Sequence, residues 1–101
     1  MNVIIDKQEN KICLRISGRI DTTSSAQFED YLQPVFAESD KAIELDCTEL
    51  SYISSSGLRV FITLLKRVKT SGGSLKILHL NKDISDVFRT TGFNKLFVIE
   101  D

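Results

Sequence analysis

Three consecutive hydroxyls, Ser54-Ser55-Ser56, stand immediately before Gly57 and Leu58, where a periodic apolar segment begins. Serines ahead of a helix do two kinds of chemistry: they cap free backbone N–H groups, or they accept a phosphoryl group. Capping accounts well for one serine and poorly for three. A phosphoryl group here adds about −1.5 to −2 charges beside the positive end of the helix. That end tolerates anions, because exposed N–H groups and the backbone dipole favour them by about 0.3–1 kcal/mol at an exposed site. At a protein interface the same dianion meets a desolvated apolar or acidic surface at a cost on the order of several kcal/mol, and about 1.4 kcal/mol changes affinity tenfold. The turn therefore suits a charge switch that breaks a complex and leaves the fold intact.

Nucleophilic catalysis at the same serines would need a base. His79 is the single histidine and belongs to no triad pattern, so it reads as a strand-end or surface residue. No G-x-S-x-G elbow, phosphate-cradling loop or cluster of metal ligands occurs. The chain is thus expected to be a binding protein rather than an enzyme, with no cofactor and no metal. Cys13 and Cys47 form neither a C-x-x-C pair nor a dense framework. They read as reduced structural thiols, Cys13 as a small buried group in a strand.

The serine turn has to be positioned by its flanks. Val3 to Lys7 and Lys11 to Ser17 read as a strand pair joined by Gln8-Glu9-Asn10, with Ile12, Leu14 and Ile16 alternating against Cys13, Arg15 and Ser17. After Gly18-Arg19-Ile20-Asp21, the spacing of Phe28, Tyr31, Leu32, Val35 and Phe36 predicts an amphipathic helix from near Ser24. Ser24 and Gln27 have the spacing of a capping box. Pro34 lacks the N–H for residue 30, so this helix is expected to kink there and continue.

Lys41 to Asp46 reads as a third strand, and Cys47 to Ile53 as a connection with apolar anchors. A second helix is expected from Ser55 or Ser56, carried by Leu58, Phe61, Ile62, Leu65 and Val68 and stopped by Gly72-Gly73. Lys66, Arg67 and Lys69 near its end complement the backbone dipole. Leu75 to Leu80 is expected as a fourth strand buried on both faces. Asn81 is placed to cap a third helix that Gly92 ends, and Leu96 to Ile99 offers a last strand.

A hairpin followed by strands alternating with helices predicts an α/β fold with one mixed sheet of four or five strands, helices mainly on one face. The 101 residues, 42% hydrophobic, support one core and too little chain for two, giving one domain over 1–101. Thirteen basic against fourteen acidic residues, without a long basic run, argue against nucleic acid as a direct partner. Met1 to Lys7 turns polar too early for a secretory signal, and no run reaches the roughly 18 apolar residues of a membrane span. A soluble cytoplasmic protein without membrane insertion is expected.

The chain resembles the STAS domain family, specifically the bacterial anti-sigma-factor antagonists. The resemblance covers essentially the whole chain. It is carried by Gly18-Arg19-Ile20-Asp21, Ala42-Ile43-Glu44-Leu45-Asp46, Leu50-Ser51-Tyr52-Ile53, the turn Ser55-Ser56-Gly57-Leu58, Gly72-Gly73, and Thr91-Gly92-Phe93. It implies that Ser56, the serine before the glycine, is phosphorylated by an anti-sigma factor that is also an ATP-dependent serine kinase. The unmodified antagonist captures that factor and frees a sigma factor, and a serine phosphatase resets the cycle. Asp21, Ser54, Ser55, Ser56, Gly57 and Leu58 then form the partner-binding surface.

For Asp21 a solvated position ahead of a helix cap is an equal reading. The family pattern places an aspartate before the two serines, and this chain has Ser54 there, which removes a charge and an acceptor beside the phosphoacceptor. The same turn also fits a STAS subunit of a lipid-transport ATPase or of a signalling scaffold.

Overall fold

A computed structural model describes residues 1–100. Its order is β1 (Asn2–Lys7), β2 (Lys11–Ile20), α1 (Ser25–Tyr31), α2 (Gln33–Phe36), β3 (Ala42–Ile53), α3 (Ser55–Ser71), β4 (Ser74–Leu78), α4 (Lys82–Thr91), a 3₁₀ turn (Phe93–Lys95) and β5 (Val98–Glu100). The five strands lie in sequence order across one mixed sheet: β1 is antiparallel to β2, and β2 to β5 run parallel. Every crossover advances in one direction, and with right-handed crossovers this stacks the helices on one face. The expected α/β architecture is present.

The period-2 alternation appears in the burial. Ile12, Leu14 and Ile16 of β2, Ile43, Leu45 and Cys47 of β3, and Leu75 and Ile77 of β4 are all buried under the helices. The opposite face carries cross-strand ion pairs, Lys11 to Glu44 at 3.1 Å and Lys76 to Glu100 at 3.2 Å. The fourth strand is therefore not buried on both faces, since Lys76 and Leu78 are only half-buried on the open side. Cys13 likewise lies half-buried on that open face, against expectation, with its thiol 4.0 Å from Glu44 Oε1. Cys47 faces the core, and burial, followed by the nearby Asp46 charge, pushes its thiol up to about 12. Such a thiol is unreactive at neutral pH.

Phe61 of α3 joins the helical layer. Its ring lies 5.6 Å from Phe28 of α1, 6.1 Å from Phe88 of α4 and 6.4 Å from Phe97, so one aromatic cluster fixes α3 against both neighbouring segments. At the far end of α3, Gly72 adopts φ 85, the left-handed turn that stops the helix. Of the basic cluster only Lys69 lies in the last turn, while the Arg67 guanidinium sits 5.0 Å over the Phe36 ring.

Four local expectations change. The segment 47–53 is strand, not connection, because it pairs with the second half of β2 from Ser17↔Glu49 to Ile20↔Ile53. The chain around Pro34 breaks instead of kinking: α1 ends at Tyr31, and Pro34 sits in the first turn of α2, where a missing N–H costs nothing. Ser24 makes no capping bond to the N–H of α1, so the Ser24–Gln27 box is absent. β4 stops at Leu78, since His79 turns to φ 63 and its N–H donates to the Glu100 carbonyl at 2.9 Å.

Candidate functional site

The parallel strands β2 and β3 end side by side, with Ile20 opposite Ile53. The Ser54 N–H donates to the Ile20 carbonyl at 2.7 Å, so the chain leaving β3 is tied to the chain leaving β2. That bond brings Asp21 and the serine turn to one rim, at the carboxyl ends of parallel strands, where α/β sheets place their sites.

Ser54 has extended backbone and acts as N-cap of α3, its hydroxyl accepting from the Gly57 N–H at 3.2 Å. It is only 8% exposed. The second bond of that hydroxyl runs to Ser56 Oγ at 3.0 Å. Ser55 is exposed and Ser56 half-buried. Gly57 lets α3 sit directly on the two strand ends, since a Cβ there would lie 2.7 Å from Ile20 Cγ2 and 2.9 Å from Ile53 Cγ1. Leu58 is buried in the core below the turn.

Across the rim, Asp21 Oδ1 accepts from the Thr23 N–H at 3.0 Å, the Ser24 N–H at 2.9 Å and the Thr23 hydroxyl at 2.8 Å. The Thr23 hydroxyl bond, then those from Ser24, hold the Asp21 carboxyl down at about 2. Asp21 thus replaces the Ser24–Gln27 box as the organiser of the turn into α1, and its carboxylate is charged at all physiological pH values.

Two shallow grooves flank the first turns of α3. One, of about 270 Å³, runs between α1 and α3 and is lined by Ser25, Glu29, Ser56, Arg59 and Thr63 among others. The other, of about 360 Å³, lies toward the end of α4 and is lined by Ser55, Leu58, Ile62 and Phe93 together with Arg59. The adjacent serines therefore open onto different grooves, the one beside Ser55 being the more apolar of the two.

Sequence reasoning missed Arg19 and Tyr52, paired in register at the same strand ends, with the Arg19 guanidinium 4.3 Å over an exposed Tyr52 ring. No local signal announces a cross-strand stack, which depends on register. Arg59 and Glu29 were equally missed, although helical spacing from Ser56 could have singled out Arg59. Among the described residues no group of His, Cys, Asp or Glu could hold a metal ion, and no helix is long and apolar enough to cross a membrane.

The STAS domain family matches residues 2–101. The chain belongs to the STAS family. This STAS domain is 34% identical to the anti-sigma-B factor antagonist of Bacillus subtilis over 99 residues, 98% of this chain and 90% of the relative. Among solved structures it is similar to an anti-sigma factor antagonist from Mycobacterium paratuberculosis, with TM-score 0.86, 18% identity and coverage of 98% and 84%. It is also similar to the phosphorylated form of the Bacillus protein SpoIIAA, with TM-score 0.73, 15% identity and coverage of 97% and 90%. These structures share the STAS fold. Within the family, this domain thus groups with the anti-sigma factor antagonists, as its motifs imply.

Proposed function

We infer that this STAS domain is an anti-sigma factor antagonist: unmodified, it binds a cognate anti-sigma factor with serine kinase activity, thereby releasing a sigma factor, and phosphorylation of Ser56 switches it off. The observation that carries this reading is the placement of the Ser56 hydroxyl. It stands in the first turn of α3 on the strand-end rim, half-exposed, opening onto the α1–α3 groove and bonded, among the described residues, to the Ser54 hydroxyl alone. A group transferred there faces outward, and the fold need not move to admit it.

In the transfer, Ser56 Oγ forms a bond to the γ-phosphorus of ATP as the bond to ADP breaks. Its proton leaves for an acceptor on the kinase, since the hydrogen-bond partner of the Ser56 hydroxyl among the described residues is Ser54, itself a neutral hydroxyl. A serine phosphatase reverses the modification by hydrolysis. Asp21, Ser55, Gly57 and Leu58 belong to the same rim: Asp21 is a charged group on the adjoining strand end, Ser55 precedes the phosphoacceptor, and Gly57 and Leu58 dock the turn against the sheet. The protein is read as cytoplasmic, where such a kinase and a sigma factor act.

Incubation with the kinase and ATP should add one phosphate, seen by intact mass and lost in Ser56→Ala; the same phosphate on that variant would overturn the site. Ser56→Asp should weaken binding to the anti-sigma factor by about ten- to a hundredfold with a native circular dichroism spectrum. Unchanged affinity would remove the charge switch.

A further inference from the structure

Arg59 is an exposed cation three residues beyond Ser56 in α3, and side chains so spaced on a helix stand roughly 5–6 Å apart at Cβ. Both line the α1–α3 groove, and Glu29 of α1 lines it with them. Among the described residues, the ion pairs involve Lys7, Lys11, Arg15, Lys41, Lys76 and Arg89, so Arg59 and Glu29 take part in none. Arg59 also borders the apolar groove on the Ser55 side. Arg59 therefore stands on the crest between two grooves, with no ion-pair partner in either among the described residues.

We propose that Arg59 is the intramolecular counter-ion of phosphorylated Ser56. This rests on the reading of Ser56 as the phosphoacceptor and adds the residue that receives the new charge. A phosphate on Ser56 brings acceptor oxygens to the groove that Arg59 already borders, and a guanidinium pairs with phosphate through two parallel N–H donors. The carboxylate of Glu29 opposes the same dianion from within the groove. Ser55 is exposed, and its own groove is lined by Leu58, Ile62 and Phe93 together with the same Arg59. Modification also withdraws a free cation from the crest, so a partner loses Arg59 at the moment it meets the phosphate.

The test uses the full chain with phosphoserine installed genetically at position 56, which requires no kinase. The second ionisation of the phosphate is followed by ³¹P NMR against pH. The helix dipole and the first-turn N–H groups act on every variant alike, so differences isolate the side chains. Arg59→Gln should raise the second pKa by about 0.2–0.4 unit, Arg59→Lys should recover much of that shift, and Glu29→Gln should lower the pKa. The Arg59→Gln difference should shrink in high salt. Superimposable curves for the wild-type and Arg59→Gln chains would overturn the counter-ion role, whatever the anti-sigma factor does. The underlying reading fails by a separate measurement, if the kinase modifies another residue or phosphorylated Ser56 leaves anti-sigma factor binding unchanged.

Discussion

Ser54 does two jobs that would ordinarily be divided: it caps α3 through Gly57 and holds the Ser56 hydroxyl at 3.0 Å. Removing it in Ser54→Ala should cost about 0.5–2 kcal/mol of stability, as for other helix N-caps, and release the Ser56 hydroxyl. Ser54→Asp should keep the cap and add a charged acceptor beside Ser56. Urea denaturation should show a lower midpoint for the alanine variant only, and the rate of Ser56 phosphorylation should differ in the aspartate variant. Identical rates would dismiss Ser54 as a determinant of the switch. Helix caps were partly legible in advance. Asn81 caps α4 as expected, its side chain accepting from the Ile84 N–H at 2.8 Å. Ser24 does not cap α1, because its hydroxyl turns back to the segment before the helix, accepting from the Asp21 N–H at 2.9 Å and bonding the Asp21 carboxylate. Spacing alone cannot tell which way such a hydroxyl turns.

At the scale of elements, the site depends on how closely α3 approaches the sheet. Gly57→Ala places a methyl against Ile20 and Ile53, both buried, and overpacking of this kind costs about 1–3 kcal/mol. Thermal unfolding should show the loss. If α3 lifts away to admit the methyl, Ser56 phosphorylation should change as well. The helices and the first halves of the strands were readable from periodicity, since burial enforces it. The second half of β3 was not. Its inward residues are Cys47, then Leu50, then Ile53, a spacing of three that departs from strand alternation. The cause lies in the pairing, where the register between β2 and β3 shifts twice, at Arg15/Ser17 and at Gly18/Arg19. A bulge is a property of two strands and leaves only an ambiguous trace in one. The break at Pro34 was half-legible for a similar reason: the apolar stripe continues through Val35 and Phe36, both buried, although the helix does not.

For the whole molecule, acid should reveal the carboxylates that its turns depend on. The Asp21 carboxyl is lowered from 3.8 to about 2 by the Thr23 and Ser24 bonds. Glu38 is lowered from 4.5 to about 2 by its bonds to Lys41 and Lys7. A carboxylate with a depressed folded-state pKa contributes stability that is complete above its unfolded value and lost as pH falls through the folded one. Stability should therefore be flat near neutrality and decline from about pH 4.5 toward pH 2, shallowly, because both groups are on the surface. Asp21→Asn should flatten part of that decline in denaturation series at successive pH values; an unchanged slope would show that its bonds are equally strong to the protonated acid.

The long central strand has one more consequence. From Ala42 to Asp46, β3 is paired on both sides, but beyond Asp46 only β2 accompanies it. On the open flank a side-chain bond from Asn81 Nδ2 to the Leu50 carbonyl at 3.2 Å ties it toward α4. One strand is thus held in two ways, clamped between two neighbours over its first half and held by one neighbour and a helix cap over its second, so its backbone amides should exchange faster beyond Asp46 than before it. The serines follow the second half, and on the reading of Ser56 as phosphoacceptor a kinase meets them at the less firmly held end of the strand.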